Sequence, residues 1–154
     1  MIAPNACDSV TYLGQHLRGV DRARVMLPTE WRSDASPKEF IIIQWPIDKP
    51  EYLLVLPPAR WDMLLRNLEG LSLGDEQAAV LERHIGANAF KKQVDSYGRL
   101  PLPEAHAKAV GIANDAMLIG RMTKFEVWHP AKFKETLAKP DLQRMADAVR
   151  SIKL

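Results

Sequence analysis

Three arginines, Arg18, Arg22 and Arg24, fall within seven residues and are opposed only by Asp21. A guanidinium can contact a phosphate oxygen, or pair bidentately with a guanine edge in a major groove. A nearby aspartate can orient it through a charge-assisted hydrogen bond and so reduce the entropy lost on binding. A second, similar cluster follows 75 residues later, in which Asp95-Ser96-Tyr97-Gly98-Arg99 comes just after Lys91 and Lys92. In each cluster a proline stands four residues beyond the arginine, Pro28 after Arg24 and Pro103 after Arg99. The chemistry this points to is polyanion recognition. Arg18, Arg22, Arg24, Arg99, Lys91 and Lys92 are the contacts, and Asp21, Asp95 and Gly98 shape the loops. An Asp and an Arg beside a tight turn also do purely structural work, pinning a hairpin on a solvated face.

Other chemistries find little support. His16, His84, His106 and His129 have no metal-like spacing to one another or to Cys7. Nothing near Cys7 would activate its thiol. Neither a GxSxG element nor a glycine-rich phosphate loop occurs. No catalytic residue, metal or cofactor is therefore expected. Trp31, Trp45, Trp61 and Trp128 lie in apolar or helical contexts, which favour core or interface positions over base-stacking platforms.

The elements that must position the two clusters repeat as well. EFIIIQ at 39–44 corresponds to AMLIGR at 116–121, and Pro58-Ala59-Arg60-Trp61 to Pro130-Ala131-Lys132-Phe133, the latter at an offset of 72. Residues 12–18 and 24–27 read as strands joined by the polar segment 19–23, and Pro28 ends that pairing and begins a short helix over TEWR. Strands over Phe40–Gln44 and Tyr52–Leu56 flank a proline-containing loop. Pro58 then starts a helix running to about Glu69, with Trp61, Leu64, Leu65 and Leu68 at helical spacing. A linker helix over Asp75–Ile85, capped by Asp75, leads into the second copy. There 89–93 and 99–102 are strands, 104–110 a short helix, 116–121 and 124–129 a hairpin, 131–138 a helix, and Leu142–Ile152 a last amphipathic helix. The expected division is 12–70 for the first half, 71–88 for the linker helix, 89–138 for the second half and 139–154 for the C-terminal helix. One half alone has too few strands and too little apolar area to be stable, so two halves must interlock.

Bulk properties fit this picture. The chain has 154 residues, 47% hydrophobic and 26% charged, with a formal net charge of +2. Residues 1–77 are net acidic and 78–154 net basic, which suits a DNA face in the second half or attraction between the halves. A single cysteine excludes an internal disulfide and fits a reducing compartment. Residues 1–14 lack the basic start and apolar run of a signal peptide, and no apolar stretch has the length of a membrane span, so the cytoplasm is expected.

Asp95-Ser96-Tyr97-Gly98-Arg99 with Pro103 resembles the DxxxR signature of the MraZ family. Tyr12-Leu13-Gly14, Val20-Asp21 to Pro28, and Val127-Trp128 to Leu137 resemble the family's glycine-containing first strand, first signature, and closing strand and helix. The resemblance spans about residues 12–152. It implies an α+β fold of two tandem AbrB-like swapped-hairpin halves forming a pseudo-twofold unit. It also implies a ring-shaped homo-oligomer in the cytoplasm and nucleoid. Its implied function is a transcriptional regulator, a repressor of its own division and cell-wall operon, that binds repeated boxes of double-stranded DNA. The family's DNA-contacting loop arginine corresponds to Arg24. The first signature departs from the pattern, because Asp21-Arg22-Ala23-Arg24 is one residue short and has Ala23 where glycine is usual. Alanine does not readily take a positive φ, so this loop is expected to turn differently, with Arg18 or Arg22 sharing the contact. The alternative reading is a protein-interaction module of the same fold, antitoxin-like, that holds another protein.

Overall fold

The computed structural model describes residues 10–71, 74 and 76–152. Cys7 and the expected helix cap Asp75 lie outside the described residues. The fold is α+β. Among the described residues, eight strands form one sheet: β1 (Gln15–Asp21), β2 (Arg24–Met26), β3 (Glu39–Trp45), β4 (Tyr52–Leu56), β5 (Phe90–Gln93), β6 (Arg99–Pro101), β7 (Asp115–Gly120) and β8 (Phe125–Trp128). Accompanying them among the described residues are the helices α1 (Pro58–Glu69), α2 (Glu76–Asn88), α3 (Glu104–Ala109), α4 (Pro130–Ala138) and α5 (Leu142–Arg150). A 3-10 turn over Thr29–Trp31 takes the place in the first half that α3 has in the second.

The strand order is β5-β3-β4-β8-β7-β1-β2-β6, antiparallel throughout. Read as a ring that returns from β6 to β5, this order is unchanged when β1–β4 are exchanged with β5–β8, which is the signature of a pseudo-twofold axis. The axis passes between β4 and β8 and between β2 and β6. Each half keeps its own β3–β4 or β7–β8 hairpin, but its first strand pairs in the other half, β1 with β7 and β5 with β3. The end strands β5 and β6 are joined by a tight turn, with Asp95 N–H donating to Arg99 O at 2.9 Å, so the sheet is nearly closed. Interlocking gives each half the strand neighbours it could not supply itself.

Inside the sheet, Tyr12, Trp31, Phe40 and Phe125 pack edge-on or tilted against one another, with Val25, Leu100, Ile42, Leu118, Val55 and Val127 around them. Outside it, Ile41, Ile43, Leu54 and Leu56 are covered by α1 and α2 through Trp61, Leu64, Leu68, Leu81 and Ile85. Both faces of β3 are therefore buried, which is why its sequence is an unbroken apolar run. On the other side Phe133 of α4 packs on Met117 and Trp128. Leu65, expected on the apolar face of α1, is exposed, as is Val80 of α2.

The repeat extends to an exchange of partners. His16 of β1 meets Trp31 edge-on at 5.1 Å, and Phe90 of β5 meets His106 of α3 at 5.0 Å. The imidazole and the aromatic ring have traded places between halves. His106 is buried, its Nε2 2.6 Å from Asn88 O and its Nδ1 3.2 Å from the Gln44 amide nitrogen.

The β3–β7 correspondence is shifted by one residue from the sequence alignment. Val55 matches Val127 at the expected offset of 72, and the hairpins pair Ile42 with Val55 and Leu118 with Val127. Ile42, not Ile41, is thus the counterpart of Leu118. The first strand is also displaced: β1 begins at Gln15 and runs through Asp21, and Tyr12 makes only an isolated bridge to Met122.

Candidate nucleic-acid interface

β2 and β6 form a short ribbon at the pseudo-axis, pairing Arg24 with Pro101, Val25 with Leu100 and Met26 with Arg99. Strand alternation sends Val25 and Leu100 into the core, both fully buried. It sends Arg24, Met26, Arg99 and Pro101 to the outer face. At each end the ribbon is clamped by the other half's turn. Leu102 N–H donates to Ala23 O at 2.6 Å, and Leu27 N–H to Gly98 O at 3.0 Å.

The two turns differ as their lengths require. In the second, Asp95 folds back on its own loop: Oδ1 accepts from Tyr97 N–H and Arg99 N–H, each at 2.9 Å, and Gly98 N–H donates to Asp95 O at 3.0 Å. Gly98 closes the turn at φ 87°. A turn that ends in a left-handed residue before the strand resumes is a usual place for glycine. In the first, Asp21 already belongs to β1 and pairs with Arg24, leaving two residues for the reversal. Arg22 and Ala23 both take positive φ, 54° and 59°. This is the mirror-image turn whose twist matches a two-residue hairpin. The loop does turn differently from its counterpart, but Ala23 adopts the left-handed conformation that was not expected of it. Strand pairing on one side and the Leu102 hydrogen bond on the other hold it there.

The ion pairs cross between the halves. Asp95 Oδ2 receives Arg99 Nε at 2.8 Å and stands 3.7 Å from Arg24 Nη1. Both arginine side chains are 29% exposed, and among the described residues no ion pair joins Asp21 to either of them. The Arg99 backbone N–H foremost, with its guanidinium and the Tyr97 N–H, holds the Asp95 carboxyl below its ordinary range. Tyr97, exposed at the turn tip, lies under the Arg99 guanidinium, 5.1 Å from ring centroid to Cζ.

The sheet separates the remaining cations. Arg22 is exposed at the first turn's tip. Arg18 pairs with Ala116 on β7, on the side of β1 that carries His16 and Val20, and donates from Nη1 to Leu17 O. It therefore faces the opposite side from Arg24. Lys92, opposite Phe40, faces the inner side in the same way, whereas Lys91, opposite Ile41, faces outward with Arg24 and Arg99. The structure thus brings together Arg24, Asp95 and Arg99, and divides the two lysines. Sequence reasoning missed Tyr97 and the pairing of Arg24 with the other half's aspartate. The Tyr-Gly-Arg run was the available signal for the first, and nothing local signalled the second.

Among the described residues, no group of three or more His, Cys, Asp or Glu side chains is placed to hold a metal, and no helix is long and apolar enough to cross a membrane.

The family described as "MraZ protein, putative antitoxin-like" matches residues 85–154, which include the second turn and its ribbon strand. Over those residues the chain is similar to the MraZ family. Curated members align with most of its length. The transcriptional regulator MraZ of Clostridium tetani is 26% identical over 143 residues, covering 92% of this chain and 98% of the relative. That of Leuconostoc citreum is 25% identical over 129 residues, covering 83% and 87%. That of Pseudoalteromonas translucida is 27% identical over 130 residues, covering 82% and 85%.

Proposed function

We propose that this chain is a DNA-binding transcriptional regulator that grips duplex DNA with the outer face of the β2/β6 ribbon and its two turns. One observation carries the reading. Arg24 and Arg99, contributed by different halves, sit on one partly exposed ribbon and share the single carboxylate of Asp95. Two cations on one anion leave a net positive face with its guanidinium forks pre-oriented, which lowers the ordering cost of recognition. Arg99, or Arg24, reads base edges. Arg22 at the tip and Lys91 on the outer face contact phosphates. The relatives' name, transcriptional regulator, supports the same reading.

The regulator acts as a homo-oligomer on repeated boxes upstream of its own division and cell-wall genes, in the cytoplasm and at the nucleoid. Self-association is supported by α5. It has nine residues and none is buried, while Leu142, Met145, Val149 and Ile152 form an exposed apolar stripe along it and just beyond its end. A helix this short is marginal in water on its own, so a second copy covers the stripe. Several ribbons on one assembly would then sum weak contacts over repeated boxes.

The test is a binding titration of the full chain against duplex from upstream of its own gene, between 50 and 200 mM salt. Affinity should fall steeply, with a log–log slope of about −0.9 per phosphate neutralised. Arg24→Ala and Arg99→Ala should each weaken binding by about 1–3 kcal/mol. Affinity indifferent to salt, or unchanged in both variants with folding intact, overturns the reading.

A further inference from the structure

The two turns are related by the pseudo-twofold, but what packs against them is not. Ala23 and Gly98 are equivalent, since the carbonyl of each accepts a hydrogen bond from the strand end of the other half. Arg32 follows Pro28 by four residues, as Ala107 follows Pro103, so the repeat sets Arg32 against Ala107. Arg32 crosses to the second turn and lies on Gly98. A Cβ placed on Gly98 would stand 2.5 Å from Arg32 Nη1 and 2.6 Å from its Cδ. The pair Gly98–Arg32 at one turn is thus Ala23–Ala107 at the other. Glycine serves here both for its positive φ and for the space its missing side chain leaves to a guanidinium.

Arg32 is well anchored. Nε donates to Leu27 O at 2.9 Å and Nη2 to Thr29 Oγ1 at 3.3 Å. Among the described residues it has no carboxylate ion-pair partner. It lines a groove of about 370 Å³ between residues 32–38 and the second turn, together with Lys38, Ser33, Ser96, Asp34 and Asp95. The charge of Asp95 is already covered by Arg99 and Arg24. What remains is a fixed guanidinium and a lysine against Asp34, with hydroxyls beside them, next to the turn proposed to meet DNA.

We propose that Arg32, presented by the first half against Gly98 of the second, contacts a phosphodiester of duplex DNA seated in this groove. The inference rests on the DNA-binding reading and adds an asymmetry to it. The second turn holds the duplex by Arg99 and a backbone phosphate together, while the first, with alanines at both equivalent places, lacks the second hold. A pre-positioned guanidinium is suited to this because its planar fork matches two phosphate oxygens.

The experiment follows the Arg32 Nε–Hε and Gly98 amide signals of the full chain by nuclear magnetic resonance. Inorganic phosphate is titrated first and duplex DNA second, with Arg32→Ala and Arg32→Lys measured in parallel. Phosphate should shift both signals. Arg32→Ala should weaken duplex binding about tenfold and lower the salt slope by about 0.9, the share of one phosphate. Arg32→Lys, which keeps the charge and loses the fork, should fall between. Salt-dependent duplex binding that is the same in both variants and wild type overturns the phosphate contact and leaves the DNA reading intact. Wild type that ignores duplex while phosphate still moves Arg32 overturns the DNA reading and keeps an anion site. Signals unmoved by either titrant overturn both, and because this reading uses wild type it survives a variant that fails to fold.

Discussion

Arg24 stands directly opposite Asp21 across the β1–β2 pair, yet its ion-pair partner is Asp95 of the other half, 3.7 Å away. Asp95 therefore does two things. It holds its own turn through Tyr97 and Arg99, and it aims an arginine that belongs to the other turn. Orientation and charge pull in opposite directions when it is altered. Asp95→Asn removes a negative charge, which strengthens attraction to any phosphate backbone. It also frees both guanidinium forks, which weakens base-edge discrimination. The expected outcome is unchanged or tighter binding to scrambled duplex, with the preference for the upstream sequence reduced about tenfold. Competition titrations with the two duplexes measure this, and a preserved preference would show that Asp95 does not aim the arginines.

The same carboxylate sets an acid limit. Its folded pKa lies below the ordinary 3.8, held there first by the Arg99 backbone N–H. A depressed carboxylate contributes fully above its unfolded pKa and loses that contribution as pH falls through the folded one. The second turn should therefore remain formed at pH 5 and open only below 3.8. The Tyr97 and Arg99 amide shifts should titrate together with a midpoint under that value. A midpoint at or above it would mean that the observed hydrogen bonds do not hold the turn in solution.

The fold class and most elements were legible because binary pattern and proline punctuation are local. β4 and α1 have their expected bounds, since Pro57 and Pro58 end one and start the other. The one-residue slip between β3 and β7 arose where the pattern carries no register. Phe40–Ile43 is buried on both faces, so alternation gives nothing to align. The exchange of His16–Trp31 for Phe90–His106 is invisible in sequence for a related reason, because the conserved quantity is the contact and not the residue at either position. At the site, the arginines and Asp95 were legible from composition and spacing. The separation of Arg18 from Arg24 required knowing that β1 runs on to Asp21, and Arg32 became visible only with the space over Gly98.

The exposed stripe of α5 yields a separable test. Met145→Glu with Val149→Glu places two charges in it without touching any buried side chain. The mass measured by light scattering should drop toward that of a smaller assembly, while thermal unfolding of the sheet stays within about 0.5 kcal/mol, as is usual for surface changes. Duplex affinity should fall with the lost avidity. An unchanged mass would remove α5 from the contact between copies.

Ala23 offers the sharpest test of backbone against side chain. It holds φ 59° beside Arg22 at 54°, in a turn where glycine is strongly preferred at the second place. A left-handed conformation costs a residue with a Cβ about 1–2 kcal/mol. Ala23→Gly removes that cost but adds about 0.5–1 kcal/mol of unfolded-chain entropy. The Ala23 side chain is only half-buried and outside the core cluster, so little packing is lost. The balance favours the variant by up to about 1.5 kcal/mol, equivalent to a rise in Tm of up to about 6 °C for a chain of this size. Gly98→Ala should do the reverse and by more, because the new Cβ meets both a positive φ of 87° and the Arg32 side chain. Differential scanning calorimetry of the two variants decides it. If Ala23→Gly lowers Tm, the strain at the first turn is smaller than glycine's entropy, and the two-residue reversal is fixed by strand pairing alone.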